Sequence, residues 1–225
     1  MIALPEILLT LMLLANLALA GSGRLHHAIR LMAAQGWMVG LLPLLLWNWG
    51  SGLPPARVLT ISVVNALVKG VLLPMLLAFA VRKAGVVREV EPIVGFRSSL
   101  CVVFLAILGS FAIGRALHIH EAVASELAIP AAISTMFTGL FLTCSRRKAI
   151  TQVIGFLSFE NGIAVFGAGI LMEYGIVVEL GILLDVFVLV FVLGIAIQQI
   201  SRTFSSIDTD KLNRLGDTHL LHHHH

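Results

Sequence analysis

The sequence predicts an all-α polytopic membrane protein with seven transmembrane helices, its N-terminus outside and its C-terminus in the cytoplasm. Three observations carry that expectation. Of the 225 residues 58% are hydrophobic and only 12% charged; soluble domains average about 25% charged residues, so this chain lacks the polar surface to coat a globule. Its apolar runs reach roughly 20 residues, the length at which a helix rising about 1.5 Å per residue crosses about 30 Å of hydrocarbon. Lys and Arg also crowd into alternate loops, as their bias toward the cytoplasm requires.

The expected spans are residues 2–20, 28–48, 57–81, 98–117, 123–144, 149–172 and 176–200. The first ends in LANLALAG, small residues that resemble a signal-peptidase site, but no positive charge precedes it and Glu6 is acidic. It is therefore read as a retained helix. Short loops leave no room for a soluble domain. With the N-terminus outside, inner segments hold Arg24 and Arg30, then Arg82, Lys83, Arg88 and Arg97. Arg146, Arg147, Lys148, Arg202, Lys211 and Arg214 follow on the same side, while outer loops have Arg57 and Arg115. Trp47, Trp49 and Tyr174 fall at outer ends, where amphipathic rings favour the headgroup level. The basic balance thus belongs to the inner loops, and no patch for nucleic acid is left over. Cys101 and Cys144 lie near cytoplasmic ends, a reducing side where a disulfide is not expected.

Ionisable residues inside a span are costly and by default mark a site that faces protein or water. Glu160, in SFENG, lies midway between Lys148 and Glu173, on the order of 18–20 Å from either boundary. Lys69 is similarly central between Arg57 and Arg82. Asn65 lies one turn before it on the same face, and Pro74 is expected to kink that helix and free carbonyls near the lysine. Asp185 follows Glu179; with Glu179 at the outer edge, it sits about 9 Å below that edge. Carboxylic acids in a low dielectric hold their protons to higher pH, and lysines there release theirs more readily, so both types can exchange protons near neutrality. Glu160, Lys69 and Asp185, with Asn161, Asn65 and Glu179 beside them, therefore form a candidate proton ladder whose gaps call for bridging water or partner side chains.

Each group also has a plain structural reading. A Lys69–Glu160 pair can simply lock two helices, Asp185 can be solvated from outside, and Asn161 can make a helix-packing hydrogen bond. Glu173 and Glu179 fit an interfacial turn. His118, His120 and Glu121 read as ordinary loop residues rather than a metal site, and His26 and His27 as interfacial. The terminal His222–His225 run is given no function. The chain has no CxxC, so it holds no thiolate-ligated metal or iron–sulfur cluster by itself. It also lacks a P-loop, GxSxG, HExxH and the dinucleotide-binding glycine fingerprint. A faint parallel repeat sets Arg24 and Gly40 against Arg146 and Gly162, with Met38 in the place of Glu160.

The stretches SRRKAITQVIGFLSFENG, ELGILLDVFVLVFVLGIAIQ and SSIDTDKLNRL, with NALVKGVLLPMLLAFAVRK on the third span, resemble the hydrogenase-4 component E family of membrane proteins, of the formate hydrogenlyase type. That likeness covers essentially the whole chain. The last three spans further resemble the NuoK-like subunit of respiratory complex I and the C subunit of Mrp-type antiporters. The resemblance implies residues 1–121 as an N-terminal helical region, 122–217 as a NuoK-like part and 218–225 as a tail. It implies a membrane-arm subunit in a bacterial or archaeal cell membrane, contributing to proton or sodium translocation. Expected partners are antiporter-like subunits, a NuoH-like subunit and a peripheral hydrogenase or related redox arm. The chain itself would hold no cofactor; a nickel–iron site and iron–sulfur clusters would lie on partners, leaving this chain non-catalytic. In the NuoK-like alignment Leu157 stands where the family has its glutamate, and Glu160 is one turn later, with Asp185 similarly offset. Two alternatives stand beside this reading: an Mrp-type C-like subunit, and a structural scaffold for antiporter-like subunits.

Overall fold

In the computed structural model, residues 3–83, 93–117 and 125–169 are described, together with single helical residues between 184 and 194. Helix α1 (Ala3–Ala20) starts with Pro5 and Glu6 in its first turn, where a missing N–H and a negative charge are both tolerated. It stops at Gly21-Ser22-Gly23, and α2 (Leu25–Leu46) returns. A short 3₁₀ turn, Trp49–Ser51, follows, its first free N–H taken by Asn48, whose side-chain oxygen accepts from Gly50 N at 3.1 Å. Gly52 then adopts φ +115°, a left-handed conformation that a side chain would strain. Next come α3 (Ala56–Leu67), a π-helical segment (Val68–Leu72) and α4 (Leu73–Lys83), which form one continuous rod. Helices α5 (Phe96–Ala116), α6 (Ala128–Ser145) and α7 (Ala149–Gly169) complete the described elements.

The expectation of seven membrane crossings is corrected. The described residues form six helices, α3 and α4 counting as one, and five of them are long and apolar enough to span a bilayer. The apolar part of α1, Leu4–Ala20, falls short of that length. The expected span 176–200 lies mostly outside the described residues. Assigning the two termini to opposite sides relied on an odd number of crossings and goes with that count. Large apolar side chains such as Leu11 and Leu14 on α1 and Phe104 and Leu105 on α5 face outward. An apolar exterior of this kind is what a polytopic membrane bundle presents to lipid.

Two close helix pairs set the architecture. Helices α6 and α7 form an antiparallel hairpin held at backbone distance by glycine. A Cβ at Gly139 would collide with the Phe159 backbone, one at Gly155 would lie 2.6 Å from Thr143 N, and one at Gly162 would lie 2.5 Å from Met136 N. Helix α2 approaches the rod in the same way through its GWMVG stretch, Gly36 resting on the Lys69 backbone and Gly40 on Ala66. Small residues allow this approach, and dispersion contacts then hold helices that lipid would not otherwise drive together.

The buried apolar residues divide into two clusters stacked along the bundle. One joins Leu25, Met32, Leu77 and Leu142 with Ile154 and Leu157. The other joins Leu9, Met12, Leu42 and Val103 with Ala132 and Val165. Along α1, α2, α6 and α7 the residues between these clusters are polar: Asn16, Gln35, Thr135, Ser158 and Glu160, all essentially inaccessible. A polar layer thus crosses the centre of the bundle, and both sequence halves contribute to it.

The arginine-rich helix ends gather at one end. Arg146 donates from Nη2 to Ala20 O at 2.9 Å, capping the last turn of α1, and its guanidinium lies 5.2 Å from the Phe96 ring centroid at the start of α5. Ile93 N donates to Ser145 O at 2.9 Å beside it. Arg146 counts as a loop charge in the sequence, yet here it is buried and joins three helices, and desolvation pulls its pKa below the usual arginine range. At the opposite end Trp47 Nε1 donates to Gly52 O and Trp49 Nε1 to Leu44 O.

Candidate functional site

Lys69 owes its position to a defect in its own helix. Pro74 has no N–H to return to the preceding turn, and the chain answers with a π segment in which Leu73 N–H reaches back to Val68 O. The expected disturbance near the lysine is therefore a widened turn, a feature that recurs at functional sites. The Lys69 backbone lies against Gly36 of α2, where any larger residue would push the rod away. Its side chain is buried, only 4% exposed.

Lys69 Nζ donates to Glu160 Oε1 at 3.0 Å and lies 3.5 Å from Asp185 Oδ1. The long sequence separation of these residues closes through the fold, with α7 supplying Glu160 at 1% exposure and the helical residue 185 supplying its carboxylate at 6%. Two carboxylates thus share one ammonium in the polar layer. Among the described residues, the glutamate's second oxygen, Oε2, is buried without a hydrogen-bond partner, and Asp185 Oδ1 has only its ionic contact with the lysine.

A second polar cluster fills the rest of the layer. Ser158 Oγ donates to Gln35 Oε1 at 3.1 Å, and Gln35 Nε2 donates to Asn16 Oδ1 at 2.8 Å. Asn16 Nδ2 donates to Thr135 Oγ1 at 2.8 Å, and that hydroxyl donates to Ala131 O at 2.6 Å. The chain of bonds ties α7 to α2, α1 and α6 in turn. Gln35 precedes Gly36, so the residue that holds this network and the one that seats Lys69 are neighbours on α2.

Glu160, Lys69 and Asp185 are brought together, then, and more closely than a ladder with gaps. The expected depth of Asp185 took Glu179 as the membrane edge, but Asp185 lies level with Lys69 and Glu160. Asn161 is buried next to Glu160 in the chain. Asn65 is half-buried on α3, and no hydrogen bond to the triad is made by its side chain among the described residues. Glu179, Glu173, Tyr174 and the His118, His120 and Glu121 cluster lie outside the described residues. His26 and His27 are exposed at the start of α2, and Cys101 and Cys144 are free thiols.

The amide network escaped the sequence reading, although a signal was present. Asn16 interrupts the apolar run LMLLANLALA, and Gln35 stands alone in LMAAQGWMVG. An amide at such a position needs a partner in lipid as much as a carboxylate does.

The chain is 32% identical over 209 residues to the uncharacterized protein Rv0085 of Mycobacterium tuberculosis, an alignment covering 92% of this chain and 93% of its relative. The chain belongs to the same family as that mycobacterial protein. No protein-family model matches the sequence. No solved structure matches it either. The protein is thus a polytopic membrane bundle of that family, with paired ionisable residues buried at its centre, an arrangement suited to translocation.

Proposed function

We propose that this chain is a membrane-arm subunit of a complex I-related assembly of the hydrogenase-4 type, and that Lys69, Glu160 and Asp185 form a protonatable station within it. The supporting observation is the triad itself: two carboxylates around one ammonium, buried between apolar clusters. With all three groups ionised the station carries one net negative charge, which is expensive in a low dielectric. Binding one proton on a carboxylate oxygen neutralises it, and releasing that proton restores the charge. Glu160 Oε2, buried and without a hydrogen-bond partner among the described residues, is the available acceptor. Exchange of that proton with neighbouring subunits would couple this chain to redox chemistry carried elsewhere. The NuoK-like resemblance of the region bearing Glu160 and Asp185 supports the same assignment.

A structural-scaffold reading has one observation in its favour: the Lys69–Glu160 bond also joins the α3–α4 rod to α7. Glu160→Gln separates the two. Under the proposed function, the variant assembles at wild-type levels while proton translocation by the native complex is lost. If the complex fails to assemble, the pair is a lock; if an intact variant complex translocates normally, the station is not on the path. Partners are identified by purifying the protein from its native membrane in mild detergent and determining by mass spectrometry what remains bound. A nickel–iron subunit with antiporter-like chains supports the assignment, whereas antiporter-like chains without a redox arm favour an Mrp-type role.

A further inference from the structure

Where α1 turns into α2, a groove of about 630 Å³ opens at the arginine-rich end of the bundle. One wall is apolar, made by Leu17 and Ala18 of α1 and Leu100 of α5, while its rim carries Ser22, Arg24 and His27. Helix α2 begins at Leu25 without a side-chain cap: Arg24 stands at the N-cap, and the first intrahelical bond runs from Ala28 N to Arg24 O at 3.1 Å. The N–H groups of Leu25, His26 and His27 therefore have no partner within the helix, and they lie at its positive dipole end. Arg24 has no salt-bridge partner among the described residues. A second guanidinium, that of Arg146, lies just behind the turn on Ala20 O.

We infer that this groove binds an anionic phospholipid, its phosphate at the α2 N-terminus between Arg24 and His27 and its acyl chains against Leu17, Ala18 and Leu100. Charge complementarity selects the headgroup: a helix N-terminus without a side-chain cap, its dipole and a cation meet at one place, the combination that holds phosphate elsewhere. The apolar wall selects a lipid over a soluble anion, because it continues from the rim onto the outer surface of the bundle, where Leu100 and Leu14 are exposed. The assignment does not depend on the function proposed for the triad.

Titrating phosphatidylglycerol into the full-length protein in a neutral detergent, with thermal unfolding as the readout, tests the inference. Phosphatidylglycerol is expected to raise the unfolding temperature saturably, while phosphatidylcholine and inorganic phosphate do not. Replacing the exposed pair, Arg24→Gln with His27→Gln, is expected to weaken the apparent affinity on the order of tenfold. Leu100→Trp, which narrows the groove and leaves the charges in place, is expected to weaken it as well. Equal stabilisation by phosphatidylcholine, or by inorganic phosphate alone, overturns the inference. An unchanged phosphatidylglycerol response in both variants does so too.

Discussion

Two polar clusters share the central layer of this bundle and differ in how they are completed. In the amide network, Asn16, Gln35, Thr135 and Ser158 are uncharged, and none of their side-chain nitrogens and oxygens is left buried without a partner. In the triad, three ionisable groups meet with a mismatched charge, and Glu160 Oε2 is buried with no hydrogen-bond partner among the described residues. A satisfied neutral network has no group that gains or loses a proton at moderate pH, so it fixes the relation of α1, α2, α6 and α7. A triad with an odd charge and an open acceptor can change state. Completeness of hydrogen bonding thus separates framework from chemistry, although both clusters look equally unusual in an apolar sequence.

Removing the lysine should expose that contrast most strongly. Lys69→Met leaves two buried carboxylates without a counter-charge, and loss of one partner from a buried pair costs about 3–5 kcal/mol. The unfolding temperature of the purified protein in detergent should fall accordingly. Adding Glu160→Gln to Lys69→Met removes half of the exposed liability and should recover much of that loss. If Lys69→Met melts like the wild type, the triad is solvated in the native protein and is no more costly than a surface pair.

A smaller effect is expected in the amide network. Gln35→Leu orphans Asn16 Oδ1 and the Ser158 hydroxyl, and an unmade buried hydrogen bond costs about 1–3 kcal/mol, less where membrane helices can find other partners. Replacing the network as a whole, with Asn16→Leu, Gln35→Leu, Thr135→Val and Ser158→Ala, should be milder than the sum of its parts, because no half of a bond is left behind. Unfolding of the single and quadruple variants provides the test. Damage in the quadruple variant that equals or exceeds the sum of the four single variants would mean that packing volume, not hydrogen bonding, is what these residues supply.

Much of this architecture was legible because lipid enforces simple rules. The boundaries of α2, of the rod, and of α5 and α7 follow from apolar length and from punctuation by Gly, Pro and Arg, and the structure keeps them within a few residues. Glu160 and Lys69 announced themselves, since a charge in the middle of such a run must be paired. The contact between them was foreseeable only as one option, because no spacing rule joins residues on different helices. Glycine proved harder to read. Nothing local distinguishes Gly36, which seats Lys69, from Gly109, whose Cβ direction meets open space. The burial of Arg146 was illegible for a related reason: its contacts with Ala20 and Phe96 depend on helices far away in sequence.

Asn65 marks where the triad ends, and its removal should have the smallest effect. Helical periodicity sets it on the face of Lys69, one turn away, which made it a candidate for the proton path. The fold leaves it half-buried, and the π segment that begins at Val68 interrupts the regular turn on which that periodicity rests. If membership of the site is decided by contact with the two carboxylates rather than by helical register, Asn65→Ala should change unfolding by no more than about 0.5 kcal/mol, the usual range for positions outside a packed or paired cluster. On the proposed function it should also leave translocation unchanged, whereas Glu160→Gln should abolish it. An Asn65→Ala variant that unfolds normally but translocates poorly would extend the station along the rod, and the boundary between framework and chemistry would then have to be drawn by water rather than by direct contact.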